Sequence, residues 1–208
     1  VLQDRLKLRT DICAYDFNLG CSGFIYGLAM AKSFIKTGIA SNVLLITSET
    51  YSKYIHPKDL ALKTVFGDGA AATIIESSVD EQILEFVLGT DGSGKDNLIV
   101  QNGCFRNAYD PLAEEFKTDS DDVYTDNNLF MNGPEIFNFT IDAVPVAVEQ
   151  CLKKNAMSLN DIDYFIFHQA NKYIIGYLRK KLGIPAEKFY SNMLLTGNTV
   201  SSTIPIAY

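Results

Sequence analysis

Apolar and polar positions alternate over residues 11–18 (DICAYDFN), the two-residue period of a strand. From 21 to 37 the pattern changes. Phe24, Ile25, Leu28, Ala29, Met30, Ala31, Phe34 and Ile35 leave few polar positions on any side, which predicts a buried helix. Gly38 follows as its C-terminal stop. The run NVLLITSE (42–49) is short and continuously apolar, as a buried parallel strand is. GDGAAATIIES (67–77) offers two glycines for a turn and small residues entering another strand, and QILEFVLGTDG (82–92) and NLIVQ (97–101) continue the series. Residues 102–132 have no period, and a loop of that length inside a compact domain is functional or mobile.

A second helix is predicted over 134–154, with Pro134 in its first turn and a stripe of Ile136, Phe137, Thr140, Ile141, Val144, Val148, Cys151 and Leu152. Pro145 lies inside it and predicts a kink or a break. SLND (158–161) fits a capped turn, and DYFIFHQ (163–169) a strand that ends in a histidine. NKYIIGYLRKKLG (171–183) is a helix with Ile174, Ile175, Leu178 and Leu182 facing inward. The order of elements predicts a mixed α/β fold with helices against sheet faces.

Charge and cysteine content narrow the function classes. The 208 residues carry a net charge of −7, which argues against nucleic acid as the main partner. No apolar run is long enough to span a bilayer, and no basic segment followed by a short apolar core marks a secretory signal. Cysteines 13, 21, 104 and 151 lack C-x-x-C spacing, so free thiols and a cytosolic setting are expected. The charge is segregated: 110–126 holds many carboxylates against Lys117 alone, whereas 172–188 holds Lys172, Arg179, Lys180, Lys181 and Lys188 against Glu187. These are either two solvated faces or, for the basic one, a dock for an acidic partner. The chain starts without methionine and stops at SSTIPIAY, where a helix is beginning, so we expect a piece of something longer.

Three residues are candidates for chemistry. Cys21 falls at a predicted helix mouth between Gly20 and Ser22-Gly23, where unpaired N–H groups favour a thiolate and lower the thiol pKa; the alternative is an ordinary buried cysteine. His168 ends an apolar strand, the edge where open α/β sheets bind ligands, although a lone histidine also serves structure. Asn198, in LLTGNTVSSTIP (194–205), either donates an amide N–H to a developing oxyanion or closes an Asx turn. Together the three make a thioester-handling set. No carboxylate is clearly placed to orient His168 as a base, which disfavours a plain thiol hydrolase.

DFNLGCSGF, FGDGAAA, FIFHQAN and GNTVSSTIP resemble, in order and spacing, the four signature stretches of the beta-ketoacyl-acyl-carrier-protein synthase III family. The resemblance runs from about residue 10 to the end of the sequence and is weakest over 102–130. It implies an α/β, thiolase-like fold of two similar halves in α-β-α-β-α layers, incomplete at both ends. Residues 1–80 would be the remainder of the N-terminal half and 81–208 the truncated C-terminal half. Exposed sheet edges and core faces would then make the chain alone prone to aggregate.

The implied activity is a decarboxylating Claisen condensation of an acyl thioester with malonyl-acyl carrier protein in fatty acid biosynthesis. Cys21 would take the acyl group from coenzyme A, and His168 and Asn198 would donate hydrogen bonds to the malonyl thioester oxygen. Gly133, Phe137, Ala170 and Asn171 would meet the pantetheine arm, and Lys172, Arg179, Lys180 and Lys181 an acyl carrier protein. No cofactor or metal is implied beyond these substrates, and a homodimer is expected. Two positions depart from the family pattern: Leu60 and Tyr173 stand where arginines are usual, which leaves room for a specialised acyltransferase of secondary metabolism. A non-catalytic subunit that binds acyl carriers is a further reading, disfavoured by the joint retention of Cys21, His168 and Asn198.

Overall fold

The computed structural model describes residues 1–208. After a one-turn helix α1 (Leu2–Arg5), residues 11–18 run exposed and pair with no strand. The expected strand is absent because alternation marks two faces, whereas a strand also needs a second backbone to complete its ladder. The same correction applies to 82–92, which is extended without pairing.

Helix α2 (Gly23–Lys36) lies on a two-stranded antiparallel sheet of β1 (Asn42–Glu49) and β2 (Gly69–Glu76). Its buried residues are Gly23, Phe24, Gly27 and Ala31, a single stripe rather than the all-round burial expected. Small residues in that stripe bring helix and sheet close: a Cβ on Gly27 would lie 2.6 Å from Leu45 Cδ1. Phe24, Ala31, Leu45 and Ile75 form the core beneath, joined by Leu28, Val43 and Ile204. Each large side chain buried there contributes about 1.5–3 kcal/mol.

β1 is antiparallel to its neighbour, not parallel, and only one of its faces is covered. Leu44, Ile46 and Ile74 point the other way, with Ile74 68% exposed and Leu44 directly opposite it. The run of NVLLITSE is therefore apolar on both faces, one of which packs against no other element of this chain.

Helix α3 (Leu60–Val65) is held at its start by two carboxylates. Asp59 Oδ1 accepts from Leu62 N at 2.8 Å, and Asp122 Oδ1 accepts from Leu60 N at 2.9 Å. Lys58 reaches Glu115 at 3.0 Å. Part of the acidic segment thus serves to anchor the chain around α3. The short strands β3 (Leu98–Val100) and β6 (Leu129–Met131) pair antiparallel, as do β4 (Phe116–Lys117) and β5 (Val123–Tyr124). Ile55, Leu62 and Leu129 pack together beneath Tyr51 and Phe66.

Helix α4 (Gly133–Lys154) continues through Pro145, so of the expected kink or break the break is absent. Pro145 has no N–H, so the carbonyl of Ile141, four residues earlier, loses its helical donor. Lys181 Nζ, from α5 (Lys172–Lys181), donates to that carbonyl oxygen at 2.6 Å. Lys181→Met is expected to cost about 0.5–1.5 kcal/mol, because the bond lies at the surface and water can take the place of the ammonium. In a Pro145→Ala background the same change should cost much less, and a double-mutant cycle by urea denaturation measures the difference.

Ser158 and Asp161 form the predicted cap, with Asp161 Oδ2 accepting from Ser158 N at 2.8 Å. The predicted strand 163–169 contracts to one parallel bridge between Phe165 and Phe189. The closing segment runs through a 3₁₀ turn at Val200–Ser202 into α6 (Thr203–Ala207), which packs on β2. No helix is long and apolar enough to cross a membrane.

Candidate active site

The turn at 198–203 is the hub of the site. It is laid along residues 65–67 by backbone pairing: Asn198 N donates to Val65 O at 2.8 Å, and Gly67 N donates to Asn198 O at 3.0 Å. Glycine is required for this approach, since a Cβ at Gly67 would sit 2.0 Å from the Thr196 carbonyl oxygen. Asn198 is 5% exposed, and its Oδ1 accepts from Val200 N at 2.9 Å. The Asx turn and the donor role are therefore compatible, because the turn uses the oxygen and leaves the Nδ2 hydrogens to give away.

Val200 is fully buried with φ +55°, a left-handed conformation that costs a β-branched residue about 1–3 kcal/mol. Its neighbours hold it there. Ser201 Oγ donates to Glu49 Oε1 at 2.5 Å, and Ser202 Oγ donates to Thr47 Oγ1 at 2.9 Å, both on β1. The opposite side of the turn meets the Cys21 loop: Cβ atoms at Gly20 and Gly23 would lie 3.6 Å from Val200 Cγ1 and 3.2 Å from Ser201 Cβ.

His168 reaches the same turn. Its Nδ1 is 2.6 Å from Thr203 Oγ1, which is also 2.9 Å from the Val200 carbonyl oxygen. Gln169, 1% exposed, ties the backbone before His168 to the 192 segment: Nε2 donates to Phe167 O at 2.6 Å and Oε1 accepts from Asn192 N at 2.9 Å. The Cys21 loop and His168 thus meet the turn that carries Asn198 through separate contacts.

The electrostatics correct one expectation. Cys21 precedes the α2 N-cap, Ser22, and burial pushes its thiol up to about 11, with the Glu49 charge adding to the shift. Burial outweighs the helix mouth here, so the residue rests as a thiol rather than a thiolate. Burial likewise pushes His168 down to about 4, against the pull of the Val200 carbonyl, and the imidazole is neutral at pH 7. A thiol pKa raised in the fold stabilises the protein fully below its ordinary 9.0 and ceases to do so as pH climbs through about 11. Alkylation of Cys21 by iodoacetamide in the resting protein is expected to keep rising up to about pH 11, which mass spectrometry of the Cys21 peptide checks.

The remaining predicted site residues lie on or beside α4 and α5. Phe137 packs against Tyr173 and Tyr177, ring centroids 5.5 Å away in each case. Gly133 opens α4, and Ala170 N donates to the His168 carbonyl at 3.0 Å. Asn171 Oδ1 caps α5 by accepting from Ile174 N at 2.8 Å. The basic segment divides: Arg179 donates to Ile184 O at 3.1 Å and Lys181 to Ile141 O, whereas Lys172 and Lys180 are exposed without such partners. Leu60 is 68% and Tyr173 72% exposed. No three His, Cys, Asp or Glu side chains are grouped to hold a metal ion. The sequence gives no sign that Gln169 and Thr203 belong to the site, and marks Gly67 only as a turn former, although the density of Ser and Thr over 199–203 is visible as polarity that the fold buries.

An amide on a buried turn, an imidazole that reaches that turn and a cysteine loop packed against it form the candidate site. Residues 15–92 match the family model for 3-oxoacyl-[acyl-carrier-protein (ACP)] synthase III, and 152–208 match its C-terminal counterpart. The chain is 40% identical over 196 residues to the beta-ketoacyl-[acyl-carrier-protein] synthase III of Clostridium tetani, covering 93% of this chain and 58% of that protein. It is 39% identical over 208 residues to that of a Clostridium perfringens strain (ATCC 13124), covering 100% of this chain and 61% of that protein. A crystal structure of a 3-oxoacyl-(acyl-carrier-protein) synthase III matches with a TM-score of 0.96 at 46% identity, over 99% of this chain and 62% of that one.

The chain belongs to the 3-oxoacyl-[acyl-carrier-protein] synthase III family, and its fold is thiolase-like. It spans about three fifths of the length of the curated relatives it matches.

Proposed function

We propose that the chain carries the condensing site of an acyltransferase that joins an acyl thioester to malonyl-acyl carrier protein with loss of carbon dioxide, in fatty acid biosynthesis. The observation that carries the reading is the convergence of the Asn198 amide and the His168 imidazole on the turn that packs against the Cys21 loop. In the first half-reaction the Cys21 sulfur attacks the acyl-coenzyme A carbonyl. The new S–C bond replaces the thioester bond of coenzyme A, and the thiol proton ends on the departing thiol. In the second, the malonyl C–C bond breaks and releases carbon dioxide. The electron pair passes into an enolate whose oxygen accepts hydrogen bonds from His168 and Asn198. Its carbon attacks the acyl-Cys21 carbonyl, and the sulfur leaves and regains a proton from solvent.

Gly133, Phe137, Ala170 and Asn171 would lie along the pantetheine arm, and acyl carrier protein would dock near exposed Lys172 and Lys180. A cytoplasmic homodimer is the assembly proposed. A specialised acyl donor is the second reading, favoured by Tyr173, which stands where the family resemblance implies an arginine and packs its ring against Phe137.

Intact-mass spectrometry after exposure to acyl-coenzyme A and acyl-carrier thioesters tests the proposal, with peptide mapping and a Cys21→Ala control. The expected result is an acyl adduct on Cys21 that is discharged by malonyl-carrier protein with release of carbon dioxide. An adduct formed only from carrier-bound or other acyl donors, and not from acyl-coenzyme A, would support the specialised reading. No adduct from any donor in the folded protein would leave a non-catalytic carrier-binding role.

A further inference from the structure

Thr203 has no part in the reaction as written, yet its hydroxyl is buried against the one catalytic side chain whose proton position matters. A neutral imidazole carries a single N–H, on Nδ1 or on Nε2, and the partner of one nitrogen decides what the other presents. Nδ1 is engaged by Thr203 Oγ1 at 2.6 Å, so Nε2 is the nitrogen left for substrate. The Val200 carbonyl competes for the ring proton, because it can only accept and it favours the protonated ring.

We propose that Thr203 is a positioning residue that sets the tautomer of His168: its hydroxyl donates to Nδ1, which places the ring proton on Nε2, facing the enolate oxygen. The hydroxyl has one hydrogen and two acceptors within reach, Nδ1 at 2.6 Å and Val200 O at 2.9 Å. Val200 O already receives the Thr203 backbone N–H, so it needs nothing from the side chain. Without the hydroxyl, Nδ1 would lose the one partner the structure gives it, and nothing would oppose a ring proton there. The ring proton would move to Nδ1, and Nε2 would present a lone pair to an oxygen that requires a donor. Gln169 holds the backbone of His168 independently of this contact, so the loss would be one of proton placement rather than of position.

The assignment rests on the condensing reading for its purpose but not for its test. Histidine ¹⁵N NMR reads the tautomer directly, with a His168→Gln variant identifying the ring by the loss of its resonances. The expected spectra show Nε2–H in the wild type and in Thr203→Ser, and Nδ1–H in Thr203→Val and Thr203→Ala. Decarboxylative condensation should fall about 100-fold in the Val and Ala variants, far more than Cys21 acylation, and recover in the Ser variant. An Nδ1–H wild type, or an unchanged tautomer in both the Val and Ala variants, would overturn the proposal. Failure of Cys21 to acylate in the wild type would instead overturn the condensing reading and leave the tautomer measurement to decide this one.

Discussion

Gly67→Ala is expected to slow condensation on the order of 100-fold while leaving most of the chain folded. The new methyl would start 2.0 Å from the Thr196 carbonyl oxygen, far inside contact distance. That oxygen belongs to backbone, so no rotamer change relieves the clash and the two segments must separate. The two bonds that lay Asn198 along 65–67 would stretch together, from 2.8 and 3.0 Å. A displacement near 1 Å at a group that must meet a developing charge costs on the order of 100-fold in rate, and overpacking costs about 1–3 kcal/mol of stability. Condensation assays at saturating malonyl-carrier protein, beside a thermal melt, separate the two effects. A variant that melts normally and condenses at the wild-type rate would show that the 65–67 contact does not position Asn198.

The second large effect concerns Asn198 itself. Asn198→Ala removes the Nδ2 donor and also the Oδ1 that satisfies Val200 N–H, so rate and stability should both fall. The rate loss is about 100- to 1,000-fold for an oxyanion donor, and the unpaired backbone N–H costs about 1–3 kcal/mol. Asn198→Asp keeps an oxygen for Val200 and gives up only the donor, so it should lose as much rate while retaining the turn. Acyl-Cys21 should still be detected in both variants, with discharge by malonyl-carrier protein as the slow step. If the Asn198→Asp variant discharged it at the wild-type rate, the amide would be a turn former and nothing more.

Helices were the most legible part of this chain. The stripes of α4 and α5 and the small apolar run of α2 predict elements that the structure contains within a residue or two. Strands were less so. DICAYDFN and QILEFVLGTDG have the right residues, but pairing depends on which backbone lies alongside, and here none does. That Pro145 does not break its helix was hidden for a related reason, because the donor that replaces its missing N–H comes from Lys181, on another helix. Of the site, Cys21, His168 and Asn198 were readable as reactive types beside small residues. The thiol's raised pKa was not, since the charge of Glu49 and the depth of burial are properties of the packed molecule. Gly67 carried a turn signal but acts through close approach, which no local pattern encodes.

The hydroxyl bonds of the 198–203 turn also set an order of events during folding. Ser201 meets Glu49 across 152 residues of sequence, and Ser202 meets Thr47 across 155. Contacts of such separation are entropically late, because the intervening loop must close before they return any free energy. Helix α2 and the β1–β2 pair lie within residues 23–76 and can assemble first. Burial of Cys21 and alignment of the imidazole and amide then come in the final docking of the C-terminal segment. A refolding chain should therefore recover its secondary structure well before its Cys21 thiol becomes shielded from alkylation. The chemistry of this protein is assembled last, from distant parts of its sequence.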